Sequence, residues 1–252
     1  MKRLCFVMGI AYFLAAIAVT AHGEDLLDTL KKVAPNLPGQ GGPSIPGGKG
    51  AGLDEGTIAS GLKQALSVGT KNAVASVSKV DGYFANAAIK ILLPEKIQGI
   101  AEMAGKLGFQ KQVDDFVLSM NRAAEKAAPK AASQFAGAIK AMTIDDARKI
   151  LSGGNTAATE YFKSKTSSKL YEEFKPDISS SMQQVGVARA YKNLVEKVPQ
   201  TPFTKPESMD LDDYITTKAL DGLFHMVGEE EQKIRANPAA WTTDLLKKVF
   251  GR

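Results

Sequence analysis

The chain has 252 residues, with 32 lysines and arginines against 27 aspartates and glutamates, and a single cysteine. That length supports a domain with its own hydrophobic core, and one thiol excludes an internal disulfide framework or a thiolate zinc site. The formal charge of +5 is not gathered into a Lys/Arg cluster interleaved with aromatics, so it does not point to nucleic acid.

Met1, Lys2 and Arg3 open the chain with positive charge, and residues 4–19 form an uninterrupted apolar run. Ala21 and Gly23 then place small residues where a signal peptidase reads. This is the three-part pattern of a secretory signal, and the run is short for a membrane anchor. Residues 1–23 are therefore expected to be a cleavable signal, and the mature protein to reside in the periplasm without a transmembrane anchor. Cys5 lies inside this segment, so the mature chain is expected to be cysteine-free. Lys2 and Arg3 leave with the signal and no acid does, so 30 basic and 27 acidic residues remain.

Residues 24–33 read as a short amphipathic helix, with Leu26, Leu27, Leu30 and Val33 at helical spacing. The Pro/Gly-rich stretch that follows, to residue 52, reads as a flexible linker. A helical domain is expected over 53–252. Asp54 is a candidate N-cap for a helix carrying Ile58, Leu62, Leu66 and Val74, and Asp81-Gly82 marks a turn. Residues 83–93 carry alanines and a weak strand signal that suits a buried helix or a loop equally.

Pro94 reads as the first position of a helix whose apolar face is Ile97, Ile100, Ala101, Ala104 and Leu107, ended by Gly108. Val113, Phe116, Val117 and Met120 define the next helix, expected to stop before Pro129, and Phe135, Ile139 and Met142 define another. Thr143 to Asp146 resembles a capping box, with Gly153-Gly154 closing that helix. An aromatic face from Tyr161 to Phe174 runs up to Pro176, and Ile178, Met182, Val185 and Tyr191 continue the pattern. Three prolines over 198–209 predict a surface loop. Asp210 or Asp212 is expected to cap a long helix bearing Ile215, Ala219, Leu223 and Val227, broken at Asn237-Pro238. A last amphipathic helix over 240–252 presents Leu245, Leu246, Val249 and Phe250 and is expected to dock on the bundle, so that its deletion lowers the melting temperature. The fold class is all-α, a compact bundle of about eight to ten short helices.

Several strings occur together: Leu93-Pro94-Glu95-Lys96, Met120-Asn121-Arg122-Ala123-Ala124-Glu125, Ala158-Thr159 with Tyr161-Phe162, Lys218 to Phe224, and Thr243 to Gly251. Their order and spacing resemble a bacterial exported family catalogued as domain of unknown function 4197, from about Leu53 to the C-terminus. The resemblance implies an exported helical protein of Gram-negative type bacteria and no established activity. It also implies Arg at the position held here by Trp241.

Catalytic signals are sparse. His22 leaves with the signal, so His225, inside an apolar helical segment, is the remaining imidazole. A His-rich zinc site within one chain is thereby excluded, and no metal or other cofactor is expected. No Gly-x-Ser-x-Gly elbow is present. Asp210, Asp212 and Asp213 lack the turn glycine and distal Glu of a calcium loop. Two polar groups stand out as candidate binding residues. Asn121, Arg122 and Glu125 lie on one otherwise apolar helix, and Glu229, Glu230, Glu231 and Arg235 follow the segment around His225, with Glu230 and Arg235 as the binding candidates and Glu231 four residues before Arg235; solvated ion pairs are the alternative reading. The leading functional reading is a non-enzymatic binding or interaction protein of the cell envelope, with a lipid or other amphiphile held between helices or an envelope protein as partner. The competing readings are a periplasmic enzyme using Glu125 or Glu230 as acid/base and a structural partner-binding protein.

Overall fold

The computed structural model describes residues 54–184 and 210–236. The expected signal, N-terminal helix, linker, 198–209 loop and C-terminal helix lie outside the described residues. Seven α-helices run through them: α1 (Glu55–Ser78), α2 (Glu95–Ala104), α3 (Gln110–Ala127), α4 (Ala131–Ala141), α5 (Ile144–Ser152), α6 (Ala157–Gln184) and α7 (Leu211–Ala236). No strand occurs among the described residues, and no helix among them is long and apolar enough to cross a membrane.

The all-α expectation holds, but the expected eight to ten separate short helices do not. The helical residues form five continuous runs among the described residues, because two expected breaks are passed through. Gly108 does not stop its helix. It sits at φ 87° within a π-helical turn, Gly105–Phe109, that redirects α2 into α3. Only glycine takes that backbone conformation without strain. Pro129 sits in the short 3-10 turn Ala128–Lys130 that joins α3 directly to α4. Near the start of a helix, the N–H that proline lacks has no partner to lose. Pro176 lies inside α6, where proline forfeits a helical hydrogen bond. Lys130 Nζ ties this turn to the start of α4: it donates to the Glu173 carbonyl at 3.1 Å and pairs with Asp177 at 2.8 Å.

The helix starts follow the local chemistry. Asp54 accepts from the Thr57 N–H at 2.9 Å and opens α1. Thr143 and Asp146 form a reciprocal capping box on α5, and Gly153 closes that helix. Asp210, rather than Asp212, accepts from the Asp213 N–H at 2.9 Å and opens α7. Pro94 flanks α2 as its N-cap, with Glu95 as the first helical residue.

α6 and α7 form the centre of the bundle, with α1 against α7, and α3 and α4 against α6. Their meeting faces supply Phe162, Leu170, Phe174, Ile215 and Leu223, each fully buried. The Phe135 ring from α4 meets the Phe162 ring edge-on at 5.2 Å and the Phe224 ring at 6.0 Å. Burying side chains of this size contributes about 1.5–3 kcal/mol each. α1 and α7 run antiparallel: Asn72 bonds Glu230, and Ile234, one turn further on, reaches Gly69. A β-carbon at Gly69 would lie 2.9 Å from the Ile234 Cδ1, so the glycine permits this close approach.

The caps carry a pH dependence. The Thr57 hydroxyl and then its N–H hold the Asp54 carboxyl below the usual aspartate value. The Thr143 N–H and then its hydroxyl do the same for Asp146, and the Asp213 N–H and then Lys175 for Asp210. A carboxyl whose folded pKa is depressed stabilises the fold above its unfolded pKa and loses that contribution as pH falls through the folded one. The melting temperature is therefore expected to drop as pH falls below about 4. Thermal melts of Asp146→Ala should show a smaller drop over the same window.

Candidate functional site

Residues 79–94 connect α1 to α2 without forming a helix, and 90–94 form neither helix nor turn. This strap crosses the bundle, and its buried backbone needs partners. α3 supplies them. Asn121, fully buried, accepts from the Ile91 N–H at 2.8 Å and donates to the Ile91 carbonyl at 2.8 Å. Its amide thus pairs one strap residue as a neighbouring β-strand would. Its Nδ2 also donates to the Val117 carbonyl at 2.8 Å.

Glu125, one turn along and buried, accepts from the N–H groups of Tyr83 at 3.1 Å and Phe84 at 3.2 Å through Oε1. Its Oε2 accepts from Arg122 at 2.6 Å, and Arg122 reaches Asp81 at 2.7 Å with its other terminal nitrogen. The bond to Glu125 is the main reason the guanidinium holds its proton more tightly than usual, with Asp81 adding to it. Asp81 is the strap residue with a left-handed backbone, at φ 65°, while Gly82 packs against the end of α1. The three expected residues on α3 are therefore brought together, as the clamp that holds the strap.

Tyr83 completes the clamp. Its ring is fully buried and its hydroxyl donates to the Ala219 carbonyl of α7 at 2.6 Å. Burial, and then the charge of Glu125, push its phenol well above the ordinary tyrosine value. A β-carbon at Gly222 would lie 2.7 Å from this ring, so the glycine lets α7 press flat against it.

The second expected group divides. Glu230 accepts from Asn72 at 3.1 Å and from Lys233 at 2.8 Å, joining α7 to α1. Arg235 pairs with Glu231 at 2.8 Å and donates to the Ile150 carbonyl at the end of α5 at 3.0 Å. The four-residue spacing of Glu231 and Arg235 marks this pair in the sequence, but not the second duty of Glu231. Glu231 is buried and accepts from the Ala158 N–H at 3.0 Å and the Thr159 N–H at 2.8 Å, so α7 caps the first turn of α6. A signal for it exists, because Glu231 continues the apolar stripe of Leu220, Phe224 and Val227 at helical spacing. Glu125 and Glu230 share no hydrogen-bond partner, and neither lines the groove described next.

The strap and α7 border an open groove of about 690 Å³. Leu92, Leu93 and Tyr214 supply apolar surface, with Leu92 59% exposed. Lys90, Lys96 and Lys218 bring positive charge against Glu95 and Asp221. Lys90 lies 4.1 Å from the Phe84 ring centre, and Lys218 is 3.8 Å from Asp221. His225 sits half-exposed at the border, 3.5 Å from Glu229. Among the described residues no group of three or more His, Cys, Asp or Glu side chains could hold a metal ion.

A profile for a family described as a protein of unknown function (DUF4197) matches residues 52–251. The chain belongs to this family. Comparison with curated proteins and with solved structures yields no match. The match takes in every residue of the clamp and of the groove.

Two outcomes test the clamp. Asn121→Ala should speed hydrogen exchange at the Ile91 amide, and Glu125→Ala at the Tyr83 and Phe84 amides, each by about tenfold or more. Glu231→Gln leaves the Arg235 charge without its partner and should destabilise the fold by roughly 2–4 kcal/mol in denaturant titration.

Proposed function

We propose that the protein is an exported, non-enzymatic binding protein of the periplasm, and that the strap groove holds an amphiphile with an anionic head. The observation carrying this reading is the groove's lining, where three lysines border the apolar surface of Leu92, Leu93 and Tyr214. An acyl chain against that surface removes apolar area from water. The lysines meet the head's charge, and their flexible stems reach it from a shallow wall. The amino-terminal pattern of a charged start, an apolar run and small residues supports the export reading. The duties of Glu125 and Glu230 support the non-enzymatic one. Glu125 is buried and occupied by two backbone N–H groups and Arg122, and Glu230 is held by Asn72 and Lys233, whereas an acid/base group must reach a substrate proton.

Calorimetric titration of the full chain with oleate, against lysophosphatidylcholine as a zwitterionic control, tests the reading. Oleate is expected to bind more tightly. Lys90→Ala combined with Lys218→Ala should weaken it about tenfold, at roughly 0.7 kcal/mol per exposed charge contact, and Leu92→Asp should weaken both ligands. No oleate binding, or binding indifferent to all three changes, overturns the assignment.

A further inference from the structure

A second groove, about 330 Å³ in volume, lies between the first turns of α1 and the length of α5. Ile58 and Ala59 form one wall, and Ile144, Ala147 and Leu151 the other. Ile144 is 48% exposed although it faces this apolar channel. At the rim, Arg148 is held between Glu55 at 2.9 Å and Asp145 at 2.7 Å, leaving one net negative charge.

We propose that the C-terminal segment of the same chain, residues 242–252, seats its apolar face in this groove. The place where α7 ends carries the argument. Ile234 packs at Gly69 of α1, and Arg235 donates to the Ile150 carbonyl, one residue before Leu151 of the groove wall. Because α7 runs antiparallel to α1, the chain leaves Ala236 heading toward the α1 start, where Ile58 and Ala59 lie. Ten residues of helix separate Gly69 from Ala59, about 15 Å. The nine residues from Ala236 to Leu245 extend to about 30 Å, so they span the distance with slack. The segment then offers Leu245, Leu246, Val249 and Phe250 at helical spacing, and Lys247 and Lys248 off that face. Its positive charges suit the negative rim.

Cysteine pairing tests the placement, since Cys5 is the chain's single thiol. In a full-length Cys5→Ser background, Ser152→Cys is combined with Leu246→Cys, or with Lys247→Cys as a control on the other face. The proposal expects the Leu246 pair to close within one chain about tenfold faster than the control, because docking sets the local concentration of one face only. Ile144→Asp should cut that excess roughly tenfold by removing one apolar wall. It leaves α5 intact, because Ile144 is exposed and an acid suits a helix's first turn. Equal rates for the two pairs overturn self-docking. A disulfide that joins two chains assigns the groove to a second copy and overturns it as well.

Discussion

A non-helical backbone buried against a helix has N–H and C=O groups that the helix's own backbone cannot satisfy. Here the side chain of Asn121 satisfies them, and the architecture around the strap depends on that pairing. With Ile91 fixed on α3, the strap holds Tyr83 at the far end against α7, and Leu92 and Leu93 at the near end beside Tyr214. Tyr214 in turn donates to the Leu92 carbonyl at 3.0 Å. The groove is thus made by irregular chain lying beside regular helix, and its width follows from how firmly α3 grips the strap.

The same solution recurs at the other end of α7. Helix starts leave N–H groups unpaired, and α6 has its first turn capped by Glu231 from a different helix rather than by a neighbour in sequence. Arg235 balances that carboxylate and reaches across to the end of α5. One glutamate–arginine pair therefore fixes the relative placement of three helices. Such buried ion pairs add specificity more dependably than net stability. The stability rests on the aromatic and aliphatic contacts among α4, α6 and α7, with no disulfide to assist.

Features governed by near neighbours were legible in the amino-acid sequence. The capping box at Thr143, the cap at Asp210, the closing glycine at Gly153 and the apolar stripes all depend on residues three or four positions away. Gly108 and Pro129 were misleading because a local breaker acts only if nothing else holds the chain. Asn121, Arg122 and Glu125 were visible as polar residues on an apolar helix, but their partners sit 30 to 42 residues upstream. Sequence spacing could mark the group without revealing that it grips backbone. The spacing of Glu231 and Arg235 marked a pair, but the α6 amides that Glu231 caps lie 72 and 73 positions upstream.

The long reach of α7 has a consequence for how the chain folds. Its ties run to Tyr83 across 136 positions, to Asn72 across 158 and to Ala158 across 73. Separations of this size carry a loop-closure entropy that local helix contacts avoid, and they slow folding relative to simple up-and-down bundles. The central apolar faces of α1 and α6 have no cover until α7 arrives. A ribosome delivers α7 after every other described helix, so the described bundle can close only once α7 has emerged. Until then the nascent chain carries helical faces that still wait for their cover.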